Sequence, residues 1–230
     1  MDPLISVVIP AHNEEKYIRQ TLHSLQLQTY QNYEVVVVAN GCTDKTEQVV
    51  QKKTNDKLRL LSLPKANVCV ARNAGALHAR GQLLVFLDAD TTLDPDGLQR
   101  IKDTFTVDYA VGTTKAKADS PRFQYKFPIW FKNFYQRTKL YKGCSGALIC
   151  RKDDFHAVGG YNPEIIIREH RHLIQKLEEK GHYCCVNTNA TTSMRRYQQW
   201  GVLPVASFWV RKWFTEKVSG LEGSEYEKIR

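Results

Sequence analysis

No run of about 18 consecutive apolar residues occurs in the chain, so no membrane-crossing helix is expected. No Gly-x-Gly-x-x-Gly follows the first apolar run, and no Gly-x-x-x-x-Gly-Lys occurs anywhere. Without those glycine cradles, a dinucleotide-dependent dehydrogenase and a P-loop ATPase lack their phosphate sites. The N-terminus, Met1-Asp2-Pro3-Leu4-Ile5-Ser6, has no basic stretch and no cleavage pattern, so a signal peptide is not expected. Acid is scarce too: 24 Asp and Glu face 33 Lys and Arg, a formal charge of +9. That balance favours anionic partners (nucleotides, phosphates, anionic lipid surfaces or nucleic acid) without choosing among them. The six cysteines, at 42, 69, 144, 150, 184 and 185, show no zinc-site spacing and read as reduced thiols of a cytosolic protein. Asn189-Ala190-Thr191 fits a glycosylation sequon, which carries no meaning without secretion.

What is present is enough apolar residue, 42% of 230, for one domain with a real core. Residues 4–9 form a β-branched run, read as a strand, and Pro10-Ala11-His12-Asn13 breaks it. Asn13 is placed to cap a helix carrying Glu14 and Glu15 in its first turn and Ile18, Leu22 and Leu25 at helical spacing. A second strand over 32–39, a helix to about 53, a third strand over 58–63 and a helix over 67–80 follow. A strand then runs into Asp88. This β-α-β-α-β-α-β order predicts an α/β fold with a mostly parallel central sheet and helices on both faces. Downstream, the pattern predicts a helix near 98–105, strands over 109–118 and 147–151, and a short helix from 153 ended by Gly159-Gly160. A helix over 163–180, a strand over 182–188 and helical structure from 198 complete it. One domain spanning 1–230 is expected, any division falling near 118–120 between a nucleotide-facing half (1–118) and an acceptor-facing half (119–230).

The stretch Leu83-Leu84-Val85-Phe86-Leu87-Asp88-Ala89-Asp90 stands out. A buried apolar strand that ends in two carboxylates puts them at a sheet rim, where open α/β sheets bind ligands. Oxygen ligands of this kind suit a hard divalent cation. A turn-forming role is the plainer alternative.

Several motifs then agree in order and spacing. They are Val7-Val8-Ile9-Pro10-Ala11-His12-Asn13-Glu14-Glu15, Val38-Ala39-Asn40-Gly41-Cys42-Thr43-Asp44, Ala71-Arg72-Asn73-Ala74-Gly75 and Phe86-Leu87-Asp88-Ala89-Asp90. Gly143-Cys144-Ser145-Gly146-Ala147, Val158-Gly159-Gly160-Tyr161 and Thr192-Ser193-Met194-Arg195-Arg196 extend the match over nearly the whole chain. On these motifs the sequence resembles the family 2 inverting glycosyltransferases of the GT-A fold. The resemblance implies a nucleotide-diphosphate-sugar donor and a divalent cation, manganese or magnesium. It implies that Pro10, Ala11, His12, Asn13 and Glu14 flank the base and ribose. Asn40 stands where the family usually has Asp, and its amide offers a donor and an acceptor to a base edge. Ala39 and Cys42 also depart from the commonest family residues. Arg72 is assigned to a diphosphate oxygen, with a structural salt bridge as its alternative. Asp88 is assigned to ribose or metal-bound water and Asp90 to the cation, with Ala89 between them. Arg195 or Arg196 is assigned to closing over the diphosphate, with solubility as the alternative.

The acceptor side departs from the family. A Glu-Asp pair is usual after the Gly-Gly-aromatic motif, its Asp being the general base. Here the stretch reads Arg168-Glu169-His170-Arg171-His172, and register through Leu173 and Leu177 puts His170 in the place of Asp. Three readings stay open. His170 is the base; or Glu169 or His172 serves, or a His joins the metal shell; or the acceptor is already an anion, such as a lipid phosphate. The plainer alternative is that His170 and His172 are ordinary solvated helix residues. Residues 122–142 bear on the third. Phe123, Tyr125, Phe127, Trp130, Phe131, Phe134, Tyr135 and Tyr141 interleave with Arg122, Lys126, Lys132, Arg137, Lys139 and Lys142. The stretch suits an interfacial helix on an anionic bilayer, or equally a core and acceptor wall. Trp200, Phe208, Trp209, Arg211, Lys212, Trp213 and Phe214 have the same character.

The sequence is therefore read as a metal-dependent inverting glycosyltransferase, a hexosyltransferase by expectation, acting on a glycan, lipid or lipid phosphate acceptor. Its expected location is cytoplasmic, with peripheral contact at the inner face of a membrane left open. The alternatives are a nucleotide-sugar-binding protein without catalysis and, less favoured, a basic nucleic-acid-binding module. No nucleic-acid partner is expected.

Overall fold

Valine and leucine runs that are buried on both faces form continuous apolar strands rather than alternating ones, and three such runs, flanked by a partly exposed edge strand, build the first half of the sheet. In the computed structural model, β1 (Ile5–Ala11), β2 (Tyr33–Asn40), β3 (Leu58–Leu63) and β4 (Leu83–Phe86) lie parallel in the order β3-β2-β1-β4. They are joined by α1 (Ile18–Gln26), α2 (Thr46–Gln51) and α3 (Val68–His78). The structure describes residues 2–137, 143–144 and 146–219, with the backbone alone at 135–137, 206, 210, 212–214 and 216–219. Ser145, Lys139, Tyr141 and Lys142, and the side chains of Tyr135, Arg137, Lys212, Trp213 and Phe214, all named above, lie outside the described residues.

The second half adds β5 (Thr91–Leu93), α4 (Gly97–Thr104), β6 (Tyr109–Ala118), α5 (Phe123–Arg137), β7 (Leu148–Arg151), α6 (Lys152–Ala157), α7 (Glu169–Leu177), β8 (His182–Thr192), α8 (Arg195–Trp200) and α9 (Val202–Ser219). One eight-stranded sheet results, ordered β3-β2-β1-β4-β7-β6-β8-β5. The parallel half is as the sequence predicts. The far half is mixed: β7 is antiparallel to β4 and β6, β8 is parallel to β6, and β5 is antiparallel to β8.

Alternate residues feed opposite faces. Val7, Ile9 and Val85 pack with Ile18, Leu22 and Ile101 on one side. Val8, Leu84 and Phe86 pack with Cys69, Tyr161, Leu173 and Ile174 on the other. α3 lies against β1 so closely that a Cβ on Gly75 would stand 2.3 Å from Val8 Cγ1. That approach sets Arg72, one turn earlier on α3, against the end of β4.

Three expectations fail locally. Asn13 does not cap α1: it adopts a left-handed φ of 55° and α1 starts at Ile18. The Asn13 side chain instead exchanges hydrogen bonds with Thr43. The helix expected from 163 starts only at Glu169, after Arg168 at φ 61°. Residues 162–168 form a loop whose Ile165 and Ile167 are buried, tied to α3 by Asn67 Nδ2 donating to the Pro163 carbonyl. β5, not foreseen, pairs with an extension of β8 to Thr192.

Candidate active site

Strands β1, β2 and β4 end at one rim, and the loops after them are laced together. Thr46 Oγ1 accepts from the Glu14 amide, Asp44 accepts from the Glu15 amide, and His12 Nδ1 donates to the Asn40 carbonyl at 2.6 Å. Asn40 lies inside this lacing. Its Nδ2 donates to the Ala11 carbonyl at 3.0 Å and its Oδ1 accepts from the Asn67 amide at 2.9 Å. It is buried, so the amide expected to meet a base edge is committed to backbone instead. Pro10, Ala11 and Ala89 are buried as well, so what they can offer a ligand is shape and backbone.

Arg72, expected at a diphosphate, is 3% exposed and carries two carboxylates. Nη2 donates to Asp88 Oδ1 at 2.8 Å and Nη1 to Glu169 Oε1 at 2.7 Å. A planar fork is suited to this double duty, and an ammonium is not. Arg72 therefore ties α3, the end of β4 and the start of α7 together, which is the structural salt bridge held open above. Half of the Asp88 side-chain surface remains open. Burial works to raise the Asp88 pKa, but Arg72, with His170 and Arg195, outweighs it and holds the carboxyl below its ordinary value. Arg72→Ala would strand Glu169 in the wall, and such a loss costs about 3 kcal/mol; urea denaturation should show it as a lowered midpoint.

A second cluster faces the first. Arg195, at the start of α8, forms a two-pronged bond to Glu14 at 2.6 and 2.7 Å and reaches Asp90 Oδ2 at 3.1 Å. It also lies over the Tyr17 ring, 4.8 Å from its centroid. Even so, the Asp90 carboxyl is pushed up to about 6, by burial first and by Asp88 and Glu14, with Arg195 only partly offsetting them.

His170 stands beside the first cluster. Nδ1 is 2.8 Å from the hydroxyl of the fully buried Tyr161, and Nε2 is 3.8 Å from Glu169. Burial and then Arg72 pull its pKa down to about 4, against Glu169 and Asp88. The imidazole is thus neutral at physiological pH and about as basic as an ordinary carboxylate. His172, the other candidate, is exposed and is not part of the cleft wall.

These groups share one cleft of about 420 Å³. Asp88, Asp90, Glu169, His170, Arg195 and Arg196 line it, with Lys132, Arg168 and Arg171 adding positive charge. The carboxylates fit a divalent cation. Their oxygens are hard ligands, and burial, which does most to push the Asp90 pKa up, leaves a carboxylate there that a bound cation would stabilise. Among the described residues no group of three or more His, Cys, Asp or Glu is arranged to hold a metal. The protein thus offers a carboxylate pair, and the remaining ligands would be water and substrate oxygens, a pattern usual for such ions beside phosphates.

Residues 6–153 match the family model for glycosyl transferase family 2. The chain belongs to that family. It is 30% identical over 142 residues to the glycosyltransferase GlyA of Streptococcus pneumoniae, covering 60% of this chain and 20% of that protein. It is 34% identical over 108 residues to the chondroitin synthase of Pasteurella multocida, covering 46% of this chain and 11% of that protein. The chain therefore spans a fifth or less of these two relatives. Among solved structures, the mannosyltransferase PcManGT of Pyrobaculum calidifontis, in complex with GDP-Man and Mn2+, superposes with a TM-score of 0.71 at 20% identity, covering 87% of this chain and 60% of that one. TarS residues 1–349 of S. aureus, in complex with UDP-GlcNAc, gives 0.65 at 23%, covering 82% and 58%. The fold is GT-A.

Within this family 2 chain, sequence reading gave Tyr161 no role, although Gly160-Tyr161 was part of a quoted motif. It also missed Lys132, Arg168 and Arg171 as cleft residues. Arg196 lines the cleft and lies over the Trp209 ring, 6.0 Å from its centroid.

Proposed function

We propose that this chain is a metal-dependent inverting glycosyltransferase that moves a sugar from a nucleotide-diphosphate-sugar to an acceptor oxygen. The observation that carries the reading is the single cleft in which Asp88 and Asp90 face His170 and Arg195. A bound divalent cation would neutralise charge on the departing nucleoside diphosphate. Asp88 and Asp90 would hold that cation, and Arg195 and Arg196 bring positive charge to the same wall for the phosphates. Arg72 acts from behind, fixing Asp88 and Glu169.

The acceptor hydroxyl attacks the anomeric carbon as the bond from that carbon to the diphosphate oxygen breaks, and the electron pair leaves with the nucleoside diphosphate. The acceptor proton passes to His170 Nε2. That requires the tautomer with hydrogen on Nδ1, which arises when the Tyr161 oxygen accepts from Nδ1. The imidazolium formed lies beside Glu169, which favours the charge.

A thermal-shift screen of nucleotide-sugars with and without Mn2+ tests the donor half, since a ligand of the native state stabilises it by mass action. One donor should raise Tm by several degrees with metal and by clearly less without it. Equal shifts in both conditions would remove the metal from the account, and the absence of any shift would remove the donor. Donor binding by calorimetry with no transfer or donor hydrolysis would instead favour a binding protein, the reading that the His170 replacement keeps in play.

A further inference from the structure

One face of α5 packs inward at four-residue spacing. Tyr125 and Ile129 are buried with Ala116 and Met194, against Tyr197 and Val202. Asn133, next in the series, donates to the Ala116 carbonyl at 2.8 Å and accepts from its amide at 3.0 Å. The inner face is thereby complete. The outer face carries Phe123, Phe127, Trp130, Phe131 and Phe134, between 49% and 78% exposed. Phe127 stacks on Trp130 at 6.1 Å and Trp130 on Phe134 at 5.7 Å. Single exposed apolar side chains are ordinary, whereas five large aromatic residues in one row mark an interaction surface.

The charge around this row selects its partner. From Asp119 to Asp153 the intervening sequence holds eight Lys and Arg and no Asp or Glu. Arg122, just before the helix, and Lys126 on it are both exposed. A second copy of the chain docking here in two-fold fashion would set these cations against each other, an arrangement that like-charge repulsion opposes. An anionic bilayer meets both requirements: aromatic rings enter the headgroup region and Lys and Arg meet lipid phosphates. Among the described residues no helix is long and apolar enough to cross a membrane, so contact would be from the side.

We propose that the outer face of α5 docks the protein on the surface of an anionic bilayer. Ile129 and Lys132 of the same helix line the cleft that holds Asp88 and His170. Docking thus brings the cleft to the membrane surface, where a lipid-borne acceptor would be within reach. The inference does not depend on the transfer reaction.

Co-sedimentation with vesicles tests it. The full chain should pellet with phosphatidylglycerol-phosphatidylcholine vesicles, with a blue shift of tryptophan emission, and much less with phosphatidylcholine alone. Added salt should weaken binding. The double variant Phe127→Ser, Trp130→Ser should bind at least about tenfold more weakly, since both rings lose their burial in lipid. Because both side chains are exposed, its melting temperature should stay near wild type, and Lys126→Glu should weaken binding to the anionic vesicles alone. Equal binding to both vesicle types, or undiminished binding by the double variant, would overturn the proposal. So would a dimer in light scattering that ignores vesicles, or binding to an oligonucleotide in place of lipid.

Discussion

Asp90→Asn is expected to lower metal-dependent donor turnover about a thousandfold or more, the scale of several kcal/mol of charge stabilisation at the leaving group. The substitution keeps size and hydrogen-bonding capacity and removes the charge. Its effect on folding runs the other way. The Asp90 carboxyl is pushed up to about 6, so the folded protein favours the protonated form. The stability this contributes is complete below the unfolded pKa, near 4, and is lost as pH rises through about 6. At neutral pH without metal the wild type therefore carries a buried charge in an unfavourable place. Asp90→Asn should melt no lower than the wild type, while Arg195 keeps its bond to Glu14. Loss of turnover with stability retained separates a chemical role from a structural one. Metal binding should agree: the affinity of the free protein for Mn2+ should weaken as pH drops through about 6, because the cation needs the carboxylate and must displace its proton.

His170→Ala should reduce transfer by about a hundredfold or more, the usual contribution of a positioned base, with donor affinity changed little. The base is unusual. Burial and Arg72 bring the imidazole to about 4, close to the carboxylate that the family resemblance leads one to expect there. It stays unprotonated across the working range, so its own titration should not shape the rate until pH nears 4. Folding stability linked to this group is present above its unfolded value, near 6.5, and is lost as pH falls toward 4. His170→Asp, of similar basicity, should recover part of the activity. Unchanged transfer by His170→Ala would favour an acceptor that is already an anion, and loss of donor binding would make His170 part of the donor site.

The parallel half of the fold was legible because three of its four strands are buried on both faces, which leaves uninterrupted apolar runs such as Val35-Val36-Val37-Val38. The start of α7 was not. The helix expected from Pro163 runs straight through Ile165 and Ile167, but these are the buried anchors of a loop. The candidate site was legible by residue type more than by role. Asn40 and Arg72 have the chemistry of ligand contacts, yet the structure spends the first on the Ala11 and Asn67 backbone and the second on Asp88 and Glu169. Glu14 and Arg195 were both singled out, but their mutual bond spans 181 positions and no local pattern encodes such a pairing. Tyr161 behind His170 is the same case at short range: the motif marked the residue, and only packing gave its hydroxyl a partner.

The most direct measurement is the rate of nucleoside diphosphate release from the donor that most stabilises the protein, for wild type and Asp90→Asn, with Mn2+ and with EDTA. The account predicts release by wild type with metal, and near-background rates with chelator or in the variant under either condition. Release by Asp90→Asn at the wild-type rate, or wild-type release indifferent to EDTA, would contradict it.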